Sequence, residues 1–150
     1  DEVFEARILF EADAARLAAQ NRTADDLERL HAALGNHENA LTLYQKNKIS
    51  SQSMMEYDSE IHLGIAASTH NNFILQIIEA IRHVTIEKDF FGEQYTIDKD
   101  HFTKSKILHR EIVTAIEQQN MDMAYKKMQE HIVQIRSALD LDSIRSIPVK

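Results

Sequence analysis

Asp58 and His62 stand four residues apart in YDSEIHL, while His109 in KILHREIV and His131 in MQEHIVQI each interrupt the apolar stripe of a separate segment. On an α-helix, positions i and i+4 lie on one face a turn apart, so Asp58 and His62 can reach a single metal ion together. A carboxylate and three imidazoles buried without a shared purpose would be costly to keep in a core. The bland alternative is that each histidine is a satisfied core residue, and eight His in the chain give chance its opportunities. A second pattern, Glu28-x-x-His31, is one fragment of a carboxylate-bundle di-iron site, which needs a second such motif and two further Glu on other helices. His31 therefore reads as a surface residue.

These side chains have to be positioned by helices. Only three Gly and one Pro occur in 150 residues, too little turn chemistry for hairpins, while strong helix formers abound. The expected fold is all-α: a single antiparallel bundle of about six or seven helices with a central metal or ligand pocket, spanning 1–140, with 141–150 as a mobile tail.

The first helix runs from about Asp1 to Gln20, with Val3, Phe4, Ile8, Leu9, Leu17 and several alanines on its apolar side. On spacing alone, Arg7 reads as an exposed partner of Glu11 at i+4. Thr23, followed by Asp25 and Asp26, has the form of an N-cap and opens a second helix, in which Gly35 can mark a bend. KNKISSQS connects to a third helix, about Gln52 to Thr69, carrying Asp58 and His62; its Gly64 and Ala67 allow a close neighbour. His70-Asn71-Asn72 reads as a turn, because these polar side chains compete for backbone hydrogen bonds.

The fourth helix spans about Asn72 to Phe90, with Arg82 and His83 toward its end. Residues 89–101, DFFGEQYTIDKDH, read as a loop or lid. The fifth helix, about Phe102 to Gln119, turns Ile107, Leu108, Ile112, Val113 and Ile116 inward with His109 beside them. The sixth, about Met121 to Leu139, carries His131.

Net charge and composition exclude several classes. A formal charge of −7 argues against unaided binding to nucleic acid or an anionic membrane, both of which need a basic surface. No Cys means no disulfide and no thiolate chemistry. No apolar run approaches a membrane span, so a cytoplasmic protein is expected. The sequence opens on Asp1, already in helical pattern, and is expected to be a piece of a longer chain.

The order of features resembles the ligand-binding FCD domain of GntR-type bacterial transcription regulators, in the FadR-like subfamily. The resemblance starts with FEARILFEADAARLAA, where Glu5, Arg7 and Glu11 match an E-x-R-x-x-x-E opening. It continues through Asp58-x-x-x-His62, the STHNN segment with Asn71, His109 in HREIVTAI and His131 in AYKKMQEHI, 22 residues later. It covers essentially the whole chain and is most specific in the Asp, His, His, His series.

The resemblance implies one divalent ion held by Asp58, His62, His109 and His131. It also implies a small carboxylate, hydroxy acid or sugar acid as effector, and a homodimer that meets operator DNA only through a preceding DNA-binding domain. Arg7 is then the first candidate for the effector carboxylate. Asn71 and Arg82 are further effector-contact candidates, and Tyr95 or His101 would close the pocket from the loop. Zinc is the default metal, with nickel and manganese open.

Two other classes stay open on the residues. One is a metal-dependent, hydrolase-like enzyme in which an open coordination position activates water; Glu60, Glu111 and Glu130, one or two residues from ligands in sequence, would point about 100° or more away from them on a helix. The other is a helical interaction module with buried histidines and no metal.

Overall fold

In the computed structural model, residues 2–87 and 100–138 are described. They form six helices: α1 (Glu2–Asn21), α2 (Ala24–Gln45), α3 (Ser51–Ala67), α4 (Asn72–Glu87), α5 (His101–Glu117) and α6 (Met121–Ala138). No strand occurs among the described residues. Residues 89–99 of the expected lid, with Tyr95, and the expected tail lie outside them, while His101, expected in the lid, is the first residue of α5.

Helix α1 is the centre of the bundle and packs against α3, α4, α5 and α6. Its sequence explains why: Ala12, Ala14, Ala15, Ala18 and Ala19 are all buried, and side chains that small let several neighbouring helices come close. Around it, α2 pairs with α3 and α5, α3 with α4, and α5 with α6. One main core, including Phe4, Leu30, Met54, Ile61, Phe102, Ile112, Met128 and Ile132, fills the space between them.

The helix ends follow local chemistry. Thr23 and Asp26 form a reciprocal capping box at α2: Asp26 N–H donates to Thr23 Oγ1 at 3.2 Å, and Thr23 N–H to Asp26 Oδ2 at 2.8 Å. Ser50 caps α3 by accepting from Ser53 N–H at 3.1 Å. Asn71 Oδ1 accepts from the backbone of Phe73 and Ile74 at the start of α4. The predicted turn at His70 is present, with His70 in the left-handed region at φ 54°. Gly35 introduces no break, and α2 runs through it. Gly64 does mark a close approach: a Cβ there would stand 3.1 Å from Leu30 Cδ2 of α2.

Two expectations about faces are corrected. Ile107 does not turn inward; it is 56% exposed beside Met123 and Lys106 in a groove between α5 and α6, while Phe102, Ser105, His109, Ile112 and Ile116 set the buried stripe. Leu9 is also exposed, on the side of α1 away from its alanines.

Candidate metal centre

The four residues meet. Asp58 and His62 on α3, His109 on α5 and His131 on α6 are all buried and offer ligand atoms within 4.8 Å of one another. His131 Nε2 lies 3.1 Å from both His62 Nε2 and His109 Nε2. Asp58 Oδ1 lies 2.9 Å from His109 Nε2, 3.5 Å from His62 Nε2 and 3.9 Å from His131 Nε2. Ligands held about 2.1 Å from one ion are separated by about 3.0 Å at right angles and about 3.4 Å in a tetrahedron, so this spacing fits a shared cation. The chemistry fits too. His131 Nε2 in contact with the Nε2 atoms of both His62 and His109 sets lone pair against lone pair unless a proton or a cation sits among them.

The surrounding groups fix this orientation. Glu11 Oε1 accepts from His62 Nδ1 at 2.6 Å, which leaves a neutral His62 presenting its Nε2 to the cluster. Glu11 in turn accepts from Arg7 Nε at 2.7 Å through its other oxygen. On the far side, Arg82 donates to Asp58 Oδ2 at 2.6 Å and to Ser59 Oγ at 2.8 and 3.0 Å. One oxygen of Asp58 is thus spent on Arg82 and the other faces the imidazoles.

Electrostatics follow from this geometry. Burial alone would push the Asp58 carboxyl up, but the charges of His62 and Arg82 reverse the effect and hold it well below the usual carboxylate range. Glu11 behaves likewise, with burial opposed by Arg7 and His62. Burial also opposes protonation of His62, yet Asp58 and Glu11 raise it above the ordinary imidazole value. His109 is lowered by burial despite Asp58, and His131 falls well below the ordinary value through burial and its two imidazole neighbours.

Replacing Glu11 by Gln removes the charge behind His62 and is expected to weaken divalent-metal affinity about 10- to 100-fold, the usual effect of losing a carboxylate behind a metal-binding imidazole. Competition with a chromogenic chelator measures this, and an affinity within twofold of the unaltered chain would contradict it.

Other expected site residues are placed as follows. Arg7 is not the exposed partner expected from spacing; it is fully buried, and its guanidinium also stands 5.9 Å from the Phe4 ring centroid. Arg82 is buried and orients Asp58. Asn71 is exposed, and its side-chain oxygen caps α4. His101 begins α5, buried, with its ring against Phe102 and Ser105 Oγ at 3.3 Å. His31 is half exposed and faces Glu117. Glu60 bonds to Asn36, while Glu111 and Glu130 pair with Lys127.

Sequence reasoning missed two roles. Glu11 falls with Phe4, Arg7, Ala14, Ala15 and Ala18 on one helical stripe, a signal that could have placed it inside. His37 was overlooked altogether. It shares the stripe of Leu30, Ala33, Leu34, Ala40 and Leu41 on α2 and is buried, with its ring edge-on to His109 at 5.0 Å. Burial and the neighbouring His109 push the His37 imidazole down to about 4.

Comparison with protein families matches residues 2–134 to the FCD domain. Among solved structures, a GntR from Streptococcus agalactiae superimposes with a TM-score of 0.68 at 25% identity, over 91% of this chain and 57% of that one. A GntR-family transcriptional regulator from Pseudomonas syringae pv. tomato str. DC3000 shares the fold, with a TM-score of 0.67 at 19% identity, over 97% of this chain and 57% of the regulator. The chain therefore spans a little over half the length of either protein. No curated protein matches it by sequence. With the family match running from the first described helix into the last, over a fold shared with GntR-type regulators, the chain belongs to the FCD domain family.

Proposed function

We propose that this domain is the effector-sensing and dimerisation part of a GntR-type transcription regulator of the FadR-like group, acting in the cytoplasm. It holds one divalent ion, zinc by default with nickel or manganese as alternatives, through Asp58, His62, His109 and His131. The observation that carries this is the convergence of three imidazole Nε2 atoms and one carboxylate oxygen, all buried, from three different helices.

When bound, the ion supplies a Lewis-acid site for the oxygens of a small organic or sugar acid. The chain's own residues do the rest. Glu11 and Arg82 orient His62 and Asp58, and Arg7 presents guanidinium nitrogens that Glu11 leaves unused. Both Arg7 and Glu11 belong to α1, which touches four other helices, so an acid that favours one packing of the site shifts the bundle through α1. A DNA-binding domain elsewhere in the full-length protein would receive that shift.

Self-association is supported by α4, where Phe73 is 72% exposed and stands at helical spacing from Ala80 and Val84, which with Val3, Ala6 and Ile81 line an apolar groove between α1 and α4. No described helix is long and apolar enough to cross a membrane.

Elemental analysis of the purified chain, with its mass read in the same run by light scattering, tests the reading. The expected result is one divalent ion per chain on a particle of twice the chain mass, with the ion lost in His109→Ala and His131→Ala. A metal-free chain after incubation with zinc, nickel and manganese would overturn the sensor; a monomer would overturn the dimer.

A further inference from the structure

The buried polar atoms around the site are unbalanced. Among the described residues, Arg7 Nη1 and Nη2, Arg82 Nη1 and one nitrogen of His37, Nε2, have no hydrogen-bond partner, although all three residues are at most 2% exposed. Every carboxylate oxygen nearby is already engaged: both of Glu11, by Arg7 and His62, and both of Asp58, by Arg82 and His109. The two guanidiniums thus hold surplus donors that no carboxylate oxygen nearby meets, and a buried guanidinium without acceptors is strongly unfavourable. Something rich in acceptor oxygens belongs there.

Charge gives the same answer. The two guanidinium charges of Arg7 and Arg82 cancel the two carboxylate charges of Glu11 and Asp58, so a divalent ion leaves the interior with a surplus of two positive charges. A monocarboxylate neutralises one of them. It also has too few oxygens: with one on the ion, a single oxygen remains for the six N–H bonds on the three unpartnered guanidinium nitrogens.

From this inventory the geometry points to a dianionic effector, a small dicarboxylate, with one carboxylate serving the ion and one guanidinium and the second accepting from the remaining guanidinium and from His37 in its Nε2–H tautomer. This deepens the sensor reading and rests on it. His37 then acts in specificity: it lies beside His109 on a helix that supplies none of the four metal-ligand side chains, and it distinguishes two-headed acids from one-headed ones.

The test uses two matched pairs on the zinc-loaded protein, by titration calorimetry at a pH of ~7.5, where imidazoles are neutral. Lactate is compared with malate, and 2-hydroxybutyrate with 2-hydroxyglutarate; each diacid differs from its monoacid by one carboxylate. In at least one pair the diacid is expected to bind about 30-fold tighter, the effect of charge-assisted hydrogen bonds. In His37→Phe that preference is expected to shrink about tenfold, and His37→Gln, which keeps an N–H donor, to restore part of it.

Monoacids and diacids within threefold of each other in both pairs would overturn the inference while leaving the sensor intact. So would a preference that His37→Phe does not change, or inorganic phosphate binding as tightly as the better diacid, since one compact dianion would then suffice. Zinc bound at one per chain with none of the four acids binding would overturn the acid-sensing reading as well. Failure to bind zinc would overturn the metal reading itself.

Discussion

An Asp58→Ala chain, stripped of metal by chelation, is expected to be about 3–5 kcal/mol less stable to urea than the equally stripped parent. The cost does not come from the missing ion, which neither sample contains. It comes from Arg82, whose guanidinium is 2% exposed, donates to Asp58 Oδ2 at 2.6 Å and would be left with a hydroxyl, Ser59 Oγ, as its remaining partner. Removing one member of a buried ion pair leaves an uncompensated charge in the interior, whereas removing both need not. The double replacement Asp58→Leu with Arg82→Met is therefore expected to recover most of the loss. In a chain of this size each kcal/mol moves the melting temperature by roughly 2–4 °C, so the single variant should melt about 6–20 °C lower. A metal-free Asp58→Ala chain within about 1 kcal/mol of its parent would show that Arg82 finds solvent. Asp58 would then be a ligand only.

The same residue shows how far local pattern reaches. Asp58 and His62 were legible because their pairing is internal to one helix, set by 3.6 residues per turn. Thr23 was legible as a cap for the same reason, since its capping box closes within four residues. His109 and His131 were legible as candidates because each polar ring broke an apolar stripe. That the three imidazoles and Asp58 would converge was suggested by their order in the chain, and only the packing of α3, α5 and α6 brings them within reach.

Where partners lie on different helices, the pattern misled or was silent. Arg7 and Glu11 at i+4 look identical whether their face meets water or α6; the alanine side that draws neighbours around α1 decides for burial. Arg82 carries a charge inside the apolar run of α4, and nothing local indicates that its partner is Asp58, 24 residues earlier. His37 broke the apolar stripe of α2 as His109 breaks that of α5, so its burial was legible though overlooked; its contact with His109, on another helix, was not. Ile107 shows the converse error: an apolar residue next to inward positions was counted as inward, though its own direction, about 100° from Leu108, leaves it on the surface.

Loading the ion is expected to stabilise the domain by about 4 kcal/mol at a free metal concentration of roughly 1,000 times Kd, which raises the melting temperature by about 8–16 °C. Its pH dependence is the sharper prediction. His109, His131 and His37 have folded values below the unfolded imidazole value of about 6.5, so the unfolded chain binds more protons below that pH. Their contribution rises with pH up to about 6.5 and is then complete, with or without metal.

His62 behaves oppositely. Its folded value is raised, so in the stripped protein its stabilisation is fully present below about 6.5 and is lost as pH rises through the folded value. Bound metal requires His62 neutral, which removes that loss from the loaded protein. Stripped and loaded samples should therefore diverge as pH rises from about 6.5, the stripped one declining while the loaded one holds, and should converge below it as protons compete for the ligands. Parallel melting curves from pH 6 to 8.5, at one fixed free metal concentration set to roughly 1,000 times the Kd at a pH of ~7.5, read this directly. A gap that stays constant across that window would mean that His62 does not exchange a proton for the ion, and would remove it from the ligand set.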